Sequence, residues 1–199
     1  MWRPWSPTFD TVADVDHLIR QPTVDDADAL DRTQVRAWQA AYRGVLMPDE
    51  YLESLDENDR AQMWRSSLEN PPRSRSIRLV GESGAGVVAG FILVGPAEGD
   101  PEATVGELYA INVDPGDWGS GLGAALIDRG VAALSQFGFT QAVMWVHPGN
   151  ERARRFYAAR GWIDDEVERQ QSFPGVEVLE ARYSLELTDA IPMDARCLR

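Results

Sequence analysis

Apolar and polar positions follow two rhythms along this chain, helical before Pro71-Pro72 and mostly strand-like after it. Ala27, Leu30, Val35, Trp38 and Ala41 form one stripe of a helix. Pro22-Thr23-Val24-Asp25-Asp26 starts that helix, with Thr23 as cap and acids in the first turn, and Gly44 is placed for a left-handed cap after Tyr42-Arg43. Pro48-Asp49-Glu50-Tyr51-Leu52 opens a short second helix, and a charged third runs from about Glu57 to Leu68. Val15–Arg20 reads as a first strand. Residues 1–14, with Pro4 and Pro7 among Trp2, Trp5 and Phe9, read as an extension outside the fold.

Beyond the prolines, Ile77–Val80 and Val87–Val94 form a hairpin around Gly81–Gly86. Gly81-Glu82-Ser83-Gly84-Ala85 is not a hydrolase elbow, because the last glycine is missing and no helix follows. Val105–Val113 is a β-rich run with one carboxylate, Glu107. Pro115 ends it, Gly119, Gly121 and Gly123 follow on alternate positions, and a long helix is expected from Gly119 to Phe137, closed by Gly138. Gln141–His147 is a strand, Asn150 caps the next helix, and Ile163–Arg169 and Val176–Leu187 are the closing strands. The tail from Thr188 is polar. One domain over 15–187 follows, with ends at 1–14 and 188–199.

A strand, turn, glycine loop and helix start together make an anion seat. N–H groups at a helix start lack partners, the dipole favours negative charge, and glycines let the anion approach the backbone. The chain contains no lysine, which excludes a Walker loop and a pyridoxal Schiff base. Gly119-x-Gly121-x-x-Ala124 fits the dinucleotide fingerprint formally. However, Pro115, Asp117 and Trp118 separate it from its strand, and Gln141–His147 carries no acid to hold a ribose.

Trp118-Gly119-Ser120-Gly121-Leu122-Gly123 resembles the acyl-coenzyme A loop of the Gcn5-related N-acetyltransferases, Arg/Gln-x-x-Gly-x-Gly/Ala, with Trp118 in place of Arg or Gln. Asn150, Ala153, Phe156, Tyr157, Gly161 and Trp162 resemble the family's Asn-x-x-Ala-x-x-Phe-Tyr-x-x-x-Gly-Phe helix. Trp38-x-x-x-Tyr42-Arg43-Gly44 is a looser likeness. The resemblance implies an α+β, three-layer fold. Its mixed, mostly antiparallel sheet has about seven strands flanked by helices and splays between the fourth and fifth.

It also implies transfer of acetyl from acetyl-coenzyme A to a primary amine of a small molecule or peptide, by direct attack in a ternary complex. By resemblance Glu107 is the base, directly or through water, and Tyr157 protonates the leaving thiolate. The coenzyme is then held by the Ile111, Asn112 and Val113 strand end, the Trp118, Gly119, Ser120, Gly121, Leu122, Gly123 and Ala124 loop, and Asn150, Ala153 and Phe156. Arg152, Arg154, Arg155 and Arg160 are candidates for its 3′-phosphate. Trp38 and Tyr42, with Trp64, are candidates for the acceptor pocket, and a homodimer is an assembly common in the family. A non-catalytic acyl-coenzyme A-binding module on the same fold is the alternative; the presence of both Glu107 and Tyr157 favours the enzyme.

The net charge of −13 argues against nucleic acid and suits a cationic amine. A single Cys, Cys197, cannot form an internal disulfide, and no apolar run reaches the roughly 18–20 residues of a membrane span. A cytoplasmic protein without membrane partners is expected. Two histidines and a terminal cysteine make no metal site.

Overall fold

The computed structural model describes residues 12–14, 17–44, 46–55, 57–70, 74–84, 86–99, 104–173 and 176–187. Most of the expected N-terminal extension, the tail and Cys197 lie outside the described residues.

The middle layer is one sheet. Its strands are β1 (Val12–Asp14), β2 (His17–Arg20), β3 (Ile77–Glu82), β4 (Val88–Pro96), β5 (Val105–Val113), β6 (Gln141–Val146), β7 (Ile163–Phe173) and β8 (Val176–Glu186). They lie in the order β1-β2-β3-β4-β5-β6-β8-β7. Every pairing is antiparallel except β5 with β6. Among the described residues the sheet therefore has eight strands where about seven are expected. The additional one, β1, comes from the stretch read as an extension.

Helices α1 (Ala27–Tyr42), α2 (Asp49–Glu53) and α3 (Glu57–Glu69) cover one face, and α4 (Leu122–Gln136) and α5 (Glu151–Ala158) the other. Between them β4 is buried on both sides, so it reads as a continuous apolar run without alternation. Phe91 meets Leu30 on the α1 side, while Ile92 and Val94 meet α4. Close approach explains Gly130: a Cβ there would lie 2.6 Å from Ile92 Cδ1.

At the α1 start, a 3₁₀ turn (Val24–Asp26) precedes the helix, and the Asp26 carboxylate accepts from the Thr23 N–H at 2.7 Å. The same carboxylate binds Arg20, whose Nε also reaches Glu82 at 2.6 Å. One guanidinium thus ties β2, β3 and the helix entry together. Gly44 takes φ +70 after α1 and Gly138 takes φ +82 after α4, as the sequence predicts.

Two boundaries are corrected. The long helix begins at Leu122, not Gly119, because Gly119 and Gly121 adopt left-handed backbone that a helix cannot contain. The strand expected over Ile163–Arg169 runs on to Phe173, held by its pairing with β8.

Candidate active site

β5 and β6 pair from Val105↔Gln141 to Leu108↔Met144, and their register ends there. Each strand continues with its outer neighbour: β5 pairs β4 as far as Gly90↔Val113, and β6 pairs β8 as far as Val146↔Ala181. The two inner edges part around a wedge. The bulge lies at the start of the parting. Leu93 faces Ala110 and Val94 faces Leu108, so Tyr109 is the extra residue on β5. Its hydroxyl donates to Pro96 O at 2.5 Å and anchors the bulge. An extended amide-bearing chain can join such an edge as an added strand.

The bulge also assigns faces. Simple alternation puts Val105, Glu107, Tyr109 and Ile111 on one side until a bulge resets it. Gly106 lies against Leu134 and Phe139 under α4, and Leu108, Ile111 and Val113 pack in the same core. Ala110 belongs to the cluster under α1 and α3. Glu107 therefore points to the α1 side and Ile111 to the α4 side. Asn112, half-buried, pairs with Phe91 at the strand end.

The glycine loop follows a 3₁₀ turn, Pro115–Asp117, in which Asp114 accepts from the Gly116 N–H at 2.9 Å. Gly119 and Gly121 take φ +86 and +96. A Cβ on Gly119 would meet nothing within 4 Å, so its glycine answers to backbone conformation and open approach, not protein packing. Gly123, inside the first turn of α4, lies in ordinary contact range of Phe156 and Val113. Ser120 Oγ accepts from the Leu122 N–H at 3.3 Å. The Ser120 carbonyl accepts from His17 Nε2 at 3.0 Å, so β2 buttresses the loop. The N–H groups of a helix's first turn have no partner within the helix, and Leu122, Gly123 and Ala124 occupy that turn. The Trp118 indole donates to Val113 O at 2.9 Å, folding the ring back on the end of β5.

On α5, Asn150 caps the helix by accepting from the Ala153 N–H at 3.1 Å, as expected. Ala153 and Phe156 pack against the α4-side core. Tyr157 is buried, and among the described residues its hydroxyl has no hydrogen bond. Burial, with the Tyr42 phenol in electrostatic reach, pushes the Tyr157 phenol well above the usual tyrosine range. Burial pushes Tyr42 up to about 12. These phenols come from opposite helical layers, and the parting of β5 from β6 is where the two layers can meet.

Trp38 and Tyr42 stand together, ring centroids 5.7 Å apart, with Phe173 edge-on to Trp38 at 5.8 Å. Met47, Leu52 and Val178 complete this cluster. Trp64 lies elsewhere, against Phe91 at 5.1 Å in the core. Glu107 is only 9% exposed, and desolvation raises its carboxyl above the usual range, opposed by the Glu98 N–H at 3.5 Å and by Arg169. His147 Nδ1 accepts from the Gly149 N–H at 2.9 Å, and burial lowers its basicity, so the neutral ring carries its proton on Nε2.

Sequence reasoning missed Glu180. Its carboxylate pairs with Arg169 at 2.8 Å, and Arg169 stacks over Trp145 at 4.1 Å. The field of Glu180 is felt at Tyr42, Glu107 and His147 alike. The available signal is alternation along β8: Glu180 shares the inward face of Val178. His17 is the other omission, and no local pattern marks it.

The sequence profile of the acetyltransferase (GNAT) family matches residues 33–162. An uncharacterized N-acetyltransferase of Bacillus subtilis, YuaI, is 30% identical over 128 residues, 64% of this chain and 70% of that protein. A mycothiol acetyltransferase of Beutenbergia cavernae is 39% identical over 74 residues, 37% of this chain but 25% of that protein. The PaiA N-acetyltransferase of Thermoplasma acidophilum, solved with coenzyme A, has a similar fold: TM-score 0.66, 18% identity, 85% of this chain and 98% of that one. So does yncA of Salmonella typhimurium, a protein solved with acetyl-coenzyme A: TM-score 0.62, 20% identity, 90% and 99% covered.

Proposed function

The chain belongs to the acetyltransferase (GNAT) family, and from that premise we propose that it moves an acetyl group from acetyl-coenzyme A to a cationic primary amine by direct attack in a ternary complex. The observation that carries this reading is the wedge between β5 and β6, with the glycine loop at its mouth. Acetyl-coenzyme A supplies a thioester carbonyl for the amine to attack. The left-handed Gly119 and Gly121 expose backbone for the diphosphate, and the free edge of β5 at Ile111–Val113 accepts the pantetheine amides.

Glu107 faces the α1 side, where Trp38 and Tyr42 define the acceptor pocket. Its raised affinity for protons suits a base that takes a proton from an ammonium of ordinary pKa about 10, directly or through water. A backbone N–H near Ile111 is placed to stabilise the oxyanion. Tyr157, kept protonated by burial, donates to the departing sulfur. The overall charge of −13 favours a cationic acceptor. Among the described residues no helix is long and apolar enough to cross a membrane, and the reading places the enzyme in the cytoplasm as a monomer or homodimer.

The test is release of free coenzyme A thiol from acetyl-coenzyme A over a panel of polyamines, aminoglycosides, amino acids and N-terminal peptides. Release matched by acetylated product in at least one class supports the reading. Tight binding of the thioester with no turnover in any class favours the non-catalytic module.

A further inference from the structure

The loop motif departs from the family pattern at its first position, where Trp118 stands in place of an Arg or Gln side chain that would contact the coenzyme. The structure returns a cation to that spot from another element. Arg152, in the first turn of α5, lays its guanidinium 3.5 Å from the centroid of the Trp118 ring. The ring is itself fixed by its indole hydrogen bond to Val113 O. The other three arginines of this region are engaged: Arg154 donates to Tyr183 and Pro148, Arg155 pairs with Glu151, and Arg160 lies on Phe156 beside Asp128. Arg152 alone among them has no ion pair or hydrogen bond among the described residues. Its donors are therefore available, and stacking already restricts its rotamers, so less entropy is lost when it binds an anion.

We propose that Arg152, laid on Trp118, contacts the diphosphate of the coenzyme and stands in for the side chain that the loop lacks. The inference rests on the reading that acetyl-coenzyme A docks at the glycine loop. Trp118 is then a positioning residue: it binds no phosphate and holds the guanidinium over its own ring, one residue before the left-handed Gly119.

Calorimetric titration with coenzyme A, dephospho-coenzyme A and pantetheine tests this. Arg152→Ala is expected to weaken coenzyme A and dephospho-coenzyme A alike, by about tenfold or more for the loss of a charge-assisted hydrogen bond. Pantetheine affinity stays unchanged, and the free protein stays folded with only the small fall in melting temperature expected for losing one stacking contact. The salt dependence of coenzyme A binding becomes shallower. Trp118→Arg added to Arg152→Ala restores affinity, because it returns the cation by the family's own route. Unchanged coenzyme A affinity in Arg152→Ala overturns the proposal, and so does a double variant that recovers nothing. A loss seen with coenzyme A but not dephospho-coenzyme A assigns Arg152 to the 3′-phosphate and overturns the diphosphate contact. Wild-type protein that binds no coenzyme A at all refutes the docking reading itself.

Discussion

Leu108 and Met144 are the last residues through which β5 and β6 face each other as sheet neighbours. One position later Tyr109 bulges, and the strands diverge. The wedge is thus built into the backbone by one surplus residue. Removing that residue by deleting Tyr109 is expected to carry the β5–β6 pairing past Leu108 and close the wedge. Coenzyme A affinity then falls by at least tenfold while the helical content measured by circular dichroism is kept.

Tyr157→Phe removes one oxygen that no described residue hydrogen-bonds, so folding stability is expected to stay within about 0.5 kcal/mol of wild type. If the phenol protonates the departing thiolate, turnover falls by about a hundredfold, the lower end of general-acid contributions. Coenzyme A affinity by calorimetry stays within about twofold. Equal losses in turnover and affinity would make Tyr157 a binding residue instead.

Glu107 couples folding to protonation. Its folded pKa is raised by desolvation above the unfolded value near 4.3. The folded state therefore holds the proton more tightly. The stabilisation from this is full below the unfolded pKa and is lost as pH rises through the folded one. Glu107→Gln is thus expected to raise the melting temperature at neutral pH, with the gain vanishing in acid. Activity moves the other way: kcat/KM in wild type falls as pH drops through the raised pKa, and the Gln variant loses that acidic limb together with most of its rate. A variant with an unchanged pH–rate profile rules out the base.

The Arg20 network gives the opposite sign. Hydrogen bonding from Arg20 holds the Asp26 carboxyl below its ordinary range. Its stabilisation is present above the unfolded pKa near 3.9 and lost as pH falls through the folded value. Asp26→Asn is expected to cost about 1–3 kcal/mol at neutral pH in urea unfolding, less than a fully buried pair because Arg20 is a quarter exposed. The cost shrinks towards acid.

Within the glycine run the three positions are not equivalent. Gly123→Ala adds a methyl at ordinary contact distance from Phe156 and is expected to keep coenzyme A affinity. Gly121→Ala forces a side chain into φ +96, and Gly121→Glu adds an anion to an anion seat. Both lower affinity, the Glu variant beyond detection by calorimetry. Normal binding by Gly121→Glu would remove the loop from the account.

Much of this architecture is legible in the residues. Periodicity places α1 through its Leu30–Val35–Trp38 stripe, and the caps at Thr23, Gly44, Gly138 and Asn150 mark ends because each solves a local backbone problem. The glycine loop and the α5 motif are local in the same sense. What the chain does not disclose is pairing at a distance. The helical start at Leu122 depends on two left-handed glycines that the rhythm Gly-x-Gly-x-Gly fits equally well as a helix's first turn. The face of Glu107 depends on where β5 bulges against β4. His17 reaches Ser120 across 103 residues, and Arg152 reaches Trp118 across a strand and a helix. No window of sequence contains both members of either pair.

The most direct test is a crystal structure of the protein with coenzyme A. The account predicts the pantetheine arm along Ile111–Val113, the diphosphate on the N–H groups between Gly119 and Ala124, and the sulfur within hydrogen-bonding reach of the Tyr157 hydroxyl. A coenzyme bound away from the β5–β6 wedge, or a sulfur out of reach of that hydroxyl, would contradict it.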